Sequence, residues 1–281
     1  MNSTSFIWLA SYPRSGNTWL RFLFGAYAYA DASDWDVCNR AVTDLNWWCW
    51  EAKNRKMDRS EIAKCMAKVM QKLPETKFRP AALFSKTHFT YDVRHPFLDQ
   101  TSKVIHLVRH PKDVLLSALN YRRLAKTPNL PSDQELAQQF IDLGGDQSFL
   151  NLGYGTWFEH YKTWSSCSRY PIYTLRYEDL RQDTHGEFSK LLKFLELPYD
   201  SERANKAVEQ TRLSSLRKLE VNARENDRFF DAEKNRFFTH KGVSGQTLQH
   251  LGADLDQKFD ERFAHWLQAS GYTAKPQTQA A

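Results

Sequence analysis

Long apolar runs are missing from this sequence. The longest, Phe22 to Ala30, is about half of the roughly 20 residues a membrane helix requires, so no membrane span is expected. The start, MNSTSFIWLASYPRSG, has no basic stretch and too short an apolar core for an export signal, so none is expected there either. Cysteine is scarce. Cys38, Cys49, Cys65 and Cys167 are widely spaced, with no CxxC pair and no histidine at zinc spacing. They read as reduced thiols of a cytoplasmic protein, with paired disulfides the alternative that spacing leaves open. No dense Lys/Arg stripe marks a nucleic-acid surface. The Walker A pattern G-x-x-x-x-G-K-[ST] does not occur, so an ATP–magnesium loop would lack its usual residues. There is no internal repeat, and no low-complexity linker precedes the polar tail from about Lys275.

What is present fits a folded enzyme-sized domain. Hydrophobic residues make up 41% of the 281, enough for a sizeable core, and 26% are charged, which argues against wholesale disorder. The net charge of +6 fits an anionic ligand and equally a basic surface.

Along the chain, strands and helices alternate. Phe6 to Ala10 is a continuous apolar run that reads as a buried strand. It breaks at Ser11-Tyr12-Pro13, and a helix apolar nearly all round follows from about Asn17 to Ala30. Residues Asp31 to Lys56 read as irregular and hold the cluster Trp47-Trp48-Cys49-Trp50; those tryptophans suit an acceptor pocket, with core the favoured reading. Asp58 and Glu61 have the spacing of a capping box. Further strands are expected at Ala81 to Lys86, Lys103 to Val108 and Pro171 to Arg176. Helices are expected from Pro111 to about Arg123, from a Ser132/Glu135 capping box to Gly144-Gly145, and from about Tyr154 to Cys167. Tyr177-Glu178-Asp179 reads as a polar turn, and the rest as mainly helical and charged. The fold class is α/β: a single domain over 1–281 with a central parallel sheet flanked by helices, opening on a P-loop-like strand-loop-helix.

That opening is the first chemical feature. Arg14-Ser15-Gly16-Asn17-Thr18-Trp19 lies where the first strand hands over to the first helix. Converging backbone N–H groups and the positive helix end suit phosphate or sulfate there. Gly16 lets the backbone curl close to an anion, and Arg14, Ser15, Asn17 and Thr18 add side-chain donors. Farther on, Arg109 ends a strand and Ser117 lies about two turns into the next helix. Together they suit a second anionic group.

Here the residues become specific. YPRSGNTWLR and VRHPKDVLLS closely resemble the phosphosulfate loop and 3′-phosphate segment of the family of sulfotransferases that use 3′-phosphoadenosine 5′-phosphosulfate (PAPS). Phe84-Ser85-Lys86-Thr87-His88 is similar to the family's K-T-H segment, and Leu175 to Leu180 to its YEDL turn. His240-Lys241-Gly242-Val243-Ser244-Gly245 resembles its C-terminal R-K-G-x-x-G loop. All come in the family's order and span most of the chain. The resemblance implies that Arg14 to Trp19 hold the 5′-phosphosulfate and stack near the adenine. It implies that Arg109 and Ser117 bind the 3′-phosphate, with His240, Lys241 and Gly242 closing over it, and that Tyr177 contacts the adenine. Ser214, Ser215 and Leu216 loosely match an adenine-side segment. Two positions depart from the pattern. Arg14 stands where lysine is usual, giving a planar, bidentate cation. His240 replaces arginine, which would make that contact sensitive to pH.

Sulfuryl transfer calls for a base at the acceptor and cations at the leaving oxygen. The resemblance assigns the base to His88, and the cations to Arg14 and Lys86, with no metal. The remaining histidines show no ligand spacing and read as surface or structural. The implied acceptor is a small molecule, lipid or natural product carrying a hydroxyl or amine, held by loops among Asp31–Lys56, Leu124–Asp146 and Val221–Phe238. Two other functions stay in view: a P-loop phosphotransferase, and a non-catalytic module that binds adenosine bisphosphate. No segment of the sequence fixes an oligomeric state.

Overall fold

The computed structural model describes residues 5–30, 34–44, 55–58, 60, 61, 64, 82–92, 98–124, 129–224, 239 and 242–272. Strand β1 (Ser5–Ser11) lies at the centre of a sheet in which every pairing is parallel. Its neighbours are β3 (Ala82–Thr87) and β4 (Thr101–Val108), with β2 (Thr43–Asp44) beyond β3 and β5 (Ile172–Arg176) beyond β4, giving the order β2-β3-β1-β4-β5.

The continuous apolar character of β1 follows from burial on both faces. Ile7 and Leu9 enter one core with α1 (Asn17–Tyr29), α2 (Val37–Ala41) and helices α8 (Thr184–Phe194) and α9 (Ser201–Gln210). Phe6, Trp8 and Ala10 face the other way, onto Leu83, Val104 and Trp164. A third cluster joins α3 (Pro111–Leu124), α4 (Asp133–Leu143), α5 (Gln147–Asn151), α6 (Trp157–Ser165) and α11 (Ala253–Ala269). Lys112 clamps two of these helices together through ion pairs to Asp256 and Asp260, each 2.8 Å. The α/β class with a parallel sheet is as expected.

The capping boxes read from sequence form as hydrogen bonds. Glu135 N donates to Ser132 Oγ at 3.2 Å, and Glu61 N donates to Asp58 Oδ1 at 2.9 Å. Three local expectations need correction. Tyr177-Glu178-Asp179 is not a turn but the first turn of α7 (Tyr177–Gln182), where two carboxylates favour the positive helix end. The helix expected from Tyr154 starts only at Trp157. Gly153 and Gly155 take positive φ of 79° and 77°, and a Thr156/Glu159 capping box begins the helix after them. The segment read as irregular contains α2 and β2, of 5 and 2 residues, too short for a periodic signal. Trp47, Trp48 and Trp50 lie outside the described residues.

Parallel strands put their carboxyl ends on one edge. After β1 the chain crosses to β2 and β3 on one side; after β4 it crosses to β5 on the other. The crevice between β1 and β4 is therefore the switch point where ligands of such sheets bind.

Candidate active site

A pocket of about 960 Å³ opens at that edge. It collects Arg14, Gly16, Asn17, Thr18, Trp19, Lys86, His88, Arg109, Ser117, Tyr177 and Gly242 from segments far apart in the chain. Ser15 is fully buried behind the loop. His240 and Lys241 lie outside the described residues. Ser214 and Leu216 also line the pocket, on α10 (Leu213–Arg224), whereas Ser215 bonds back to Glu209 O.

The loop after β1 is held open by its own backbone. Arg14 has φ of 69° and Gly16 φ of 98°. A Cβ at Gly16 would lie 2.5 Å from the Tyr177 ring, so only glycine lets that ring cover the loop. Tyr177 in turn meets Trp19 edge-on, with centroids 5.7 Å apart, and carries the Arg109 guanidinium 4.3 Å above its face. Arg109 Nη1 donates to Arg14 O at 3.1 Å and Nη2 to Val243 O at 2.9 Å. The residue at the end of β4 thus ties the loop after β1 to the C-terminal loop.

Arg14 Nε donates to Ser117 Oγ at 3.2 Å, and its guanidinium lies 4.8 Å from the Tyr121 ring centre. Burial lowers its pKa to about 10, which leaves it a cation at neutral pH. The C-terminal loop is anchored by Asp113: Gly245 N donates to its Oδ2 at 2.9 Å and Gln246 N to its Oδ1 at 3.2 Å. Glu178 of the YEDL segment accepts from His110 N and from the Tyr272 hydroxyl, both at 2.9 Å, so it braces the end of β4.

From the end of β3, Lys86 and His88 join the pocket. His88 Nδ1 lies 2.7 Å from Ser11 O, a carbonyl that can only accept, so Nδ1 carries the proton and Nε2 the lone pair. Burial, then the Lys86 cation, hold the ring's pKa down at about 3, and it is neutral in the free protein. Lys86 Nζ pairs with Asp44 Oδ2 at 2.8 Å. Phe149, Leu152 and Tyr154 add an apolar wall, with the Tyr154 ring 5.7 Å from His88. His106 and His160, read from sequence as surface or structural, are buried with centroids 5.8 Å apart.

Sequence reading named none of Asp44, Tyr121, Phe149, Leu152, Tyr154 and Arg181, although Asp44 falls within the proposed acceptor segment Asp31–Lys56. Tyr121 could have been found, because it lies one turn beyond Ser117 on the same helix face. The wall residues fall just past the loops proposed for the acceptor, and nothing in their spacing marks them.

The donor set fits a nucleotide with two anionic ends. Among the described residues, the Ser15 hydroxyl and Arg109 Nε are buried donors without a partner, and buried donors of this kind ask for an acceptor. The donors concentrate where the α1 N-terminus adds its partial positive charge. Among the described residues no group of three or more His, Cys, Asp or Glu is placed to hold a metal, and no helix is long and apolar enough to cross a membrane.

Comparison with known proteins agrees with this geometry. The sulfotransferase domain family matches residues 5–271. Sulfotransferase 1A1 of Canis lupus familiaris is 26% identical over 277 residues, 96% of this chain and 85% of the relative. Flavonol 4'-sulfotransferase of Flaveria chlorifolia is 26% identical over 280 residues, 96% and 81% of the two chains. Mouse sulfotransferase SULT7A1, solved in complex with PAP, shares the fold with a TM-score of 0.64 at 22% identity, covering 95% of this chain and 86% of that one. The chain belongs to the sulfotransferase family, the PAPS-dependent transferases its motifs resemble.

Proposed function

We propose that the protein transfers the sulfuryl group of PAPS to a hydroxyl or amine of a small-molecule or natural-product acceptor, with His88 as general base. When bound, PAPS supplies a sulfuryl group already activated on a phosphosulfate anhydride. The loop Arg14 to Thr18 and the first turn of α1 hold its 5′ end, and Arg109 with Ser117 holds the 3′-phosphate. Trp19 and Tyr177 frame the adenine, and Gly242 closes the site together with His240 and Lys241.

One observation carries the assignment of the base. The bond between His88 Nδ1 and Ser11 O leaves the basic lone pair on Nε2. A neutral imidazole so fixed keeps a lone pair with which to take the acceptor's proton as attack proceeds. Lys86 supplies positive charge beside it, and Arg14 at the anion loop. The apolar wall of Phe149, Leu152 and Tyr154 favours an acceptor with an apolar body. Cys38 and Cys167 are free thiols, which accords with a cytoplasmic setting.

His88→Ala tests the base. Turnover with PAPS and a panel of phenols, alcohols and amines is expected to fall about 10²–10⁴-fold. Affinity for adenosine 3′,5′-bisphosphate should stay nearly unchanged. Parallel loss of both would remove His88 from that role.

A further inference from the structure

We propose that Asp44 is a positioning residue for the transfer: its carboxylate holds the Lys86 ammonium in place, as a cation, at the pocket wall. The inference rests on the reading of Lys86 as a cation of the transfer reaction, and it goes beyond the motifs, none of which includes Asp44.

The sheet brings the two together. β2 is only two residues long, and its last residue pairs in register with Lys86 of β3. In-register residues of neighbouring strands leave the sheet on the same face. Asp44 Oδ2 and Lys86 Nζ meet at 2.8 Å, and both line the pocket. Surface pairs of this kind contribute little; here the Asp44 side chain is 48% exposed but the lysine side chain only 15%. The groups that face it among the described residues are Arg21 from α1, Cys38 from α2, Asp44 from β2, and His88 just past β3. Arg21 is a buried cation, its guanidinium donating to Cys38 O at 3.3 Å. Burial raises the pKa of the Cys38 thiol, so Cys38 is neutral. Asp44 is the carboxylate of this set. Burial first, and then Arg21, work against the Lys86 charge, while Asp44 works for it. The same carboxylate fixes the direction of a long, flexible side chain whose tip must stay near His88.

Asp44→Asn keeps the shape and removes the charge. In nucleotide-free protein, the pH dependence of Lys86 labelling by acetic anhydride, read by mass spectrometry, needs neither donor nor acceptor. Its midpoint is expected to fall by about 1–3 pH units, while other lysines keep theirs. In turnover, kcat of the variant should acquire an alkaline limb displaced by the same amount, with KM for PAPS little changed. Asp44→Glu should restore the wild-type profile. Lys86→Arg added to Asp44→Asn should abolish the limb, because guanidinium does not titrate there. An unchanged labelling midpoint would overturn the inference directly. A shifted midpoint with an unaltered kcat profile would instead overturn the part given to Lys86 in transfer, and the positioning role with it.

Discussion

At the anion end of the pocket, Arg109 grips the carbonyls of Arg14 and Val243, and Asp113 takes the amides of Gly245 and Gln246. Around His88 the wall comes from short elements: Phe149 from a five-residue helix, Leu152 and Tyr154 from the turn after it, and, beside Lys86, Asp44 from a two-residue strand. The first region is set by main-chain geometry that few residue types allow. The second asks only for bulk, shape and an occasional charge. On the proposed function, the nucleotide common to the family lies at the first and the acceptor at the second.

Substitutions in the two regions should separate on this line. On binding, the larger effect is expected from Gly16→Ala. The new Cβ meets the Tyr177 ring and adopts a backbone angle that side chains avoid, so the ring must leave the loop. Affinity for adenosine 3′,5′-bisphosphate should fall about tenfold or more, as one or two kcal/mol of strain implies. Unchanged affinity would show that the ring does not guard the anion loop. A smaller effect is expected from Leu152→Ala, a residue 45% exposed. KM for an apolar acceptor should rise about two- to tenfold, the worth of a partly buried leucine, with nucleotide affinity unaltered. If nucleotide affinity fell with it, the two regions would not be independent.

The same contrast explains what could be read from sequence. Gly16, Arg109 and Ser117 could be singled out because strand–loop–helix order and residue type suit an anion site, and the structure brings all three to one pocket. The apolar run Phe6 to Ala10 announces the central strand, buried on both faces. Asp44 announces nothing, because its position follows from the register of β2 on β3, which no local pattern encodes. Phe149 and Tyr154 look like ordinary core aromatics, and Tyr154 does pack against Phe89 at 4.9 Å. Tyr177-Glu178-Asp179 is marked by the resemblance but does not read as a helix start, since its acidic residues serve turns and helix N-termini alike. Within that segment Glu178 braces the end of β4.

Calorimetric titration with adenosine 3′,5′-bisphosphate, without magnesium, beside adenosine 5′-phosphate, ADP and ATP tests the central claim most directly. The account predicts tight binding selective for the bisphosphate, with the preference over adenosine 5′-phosphate largely lost in Arg109→Ala. Absence of binding, or a preference for ATP that requires magnesium, would contradict it and put a phosphotransferase in its place.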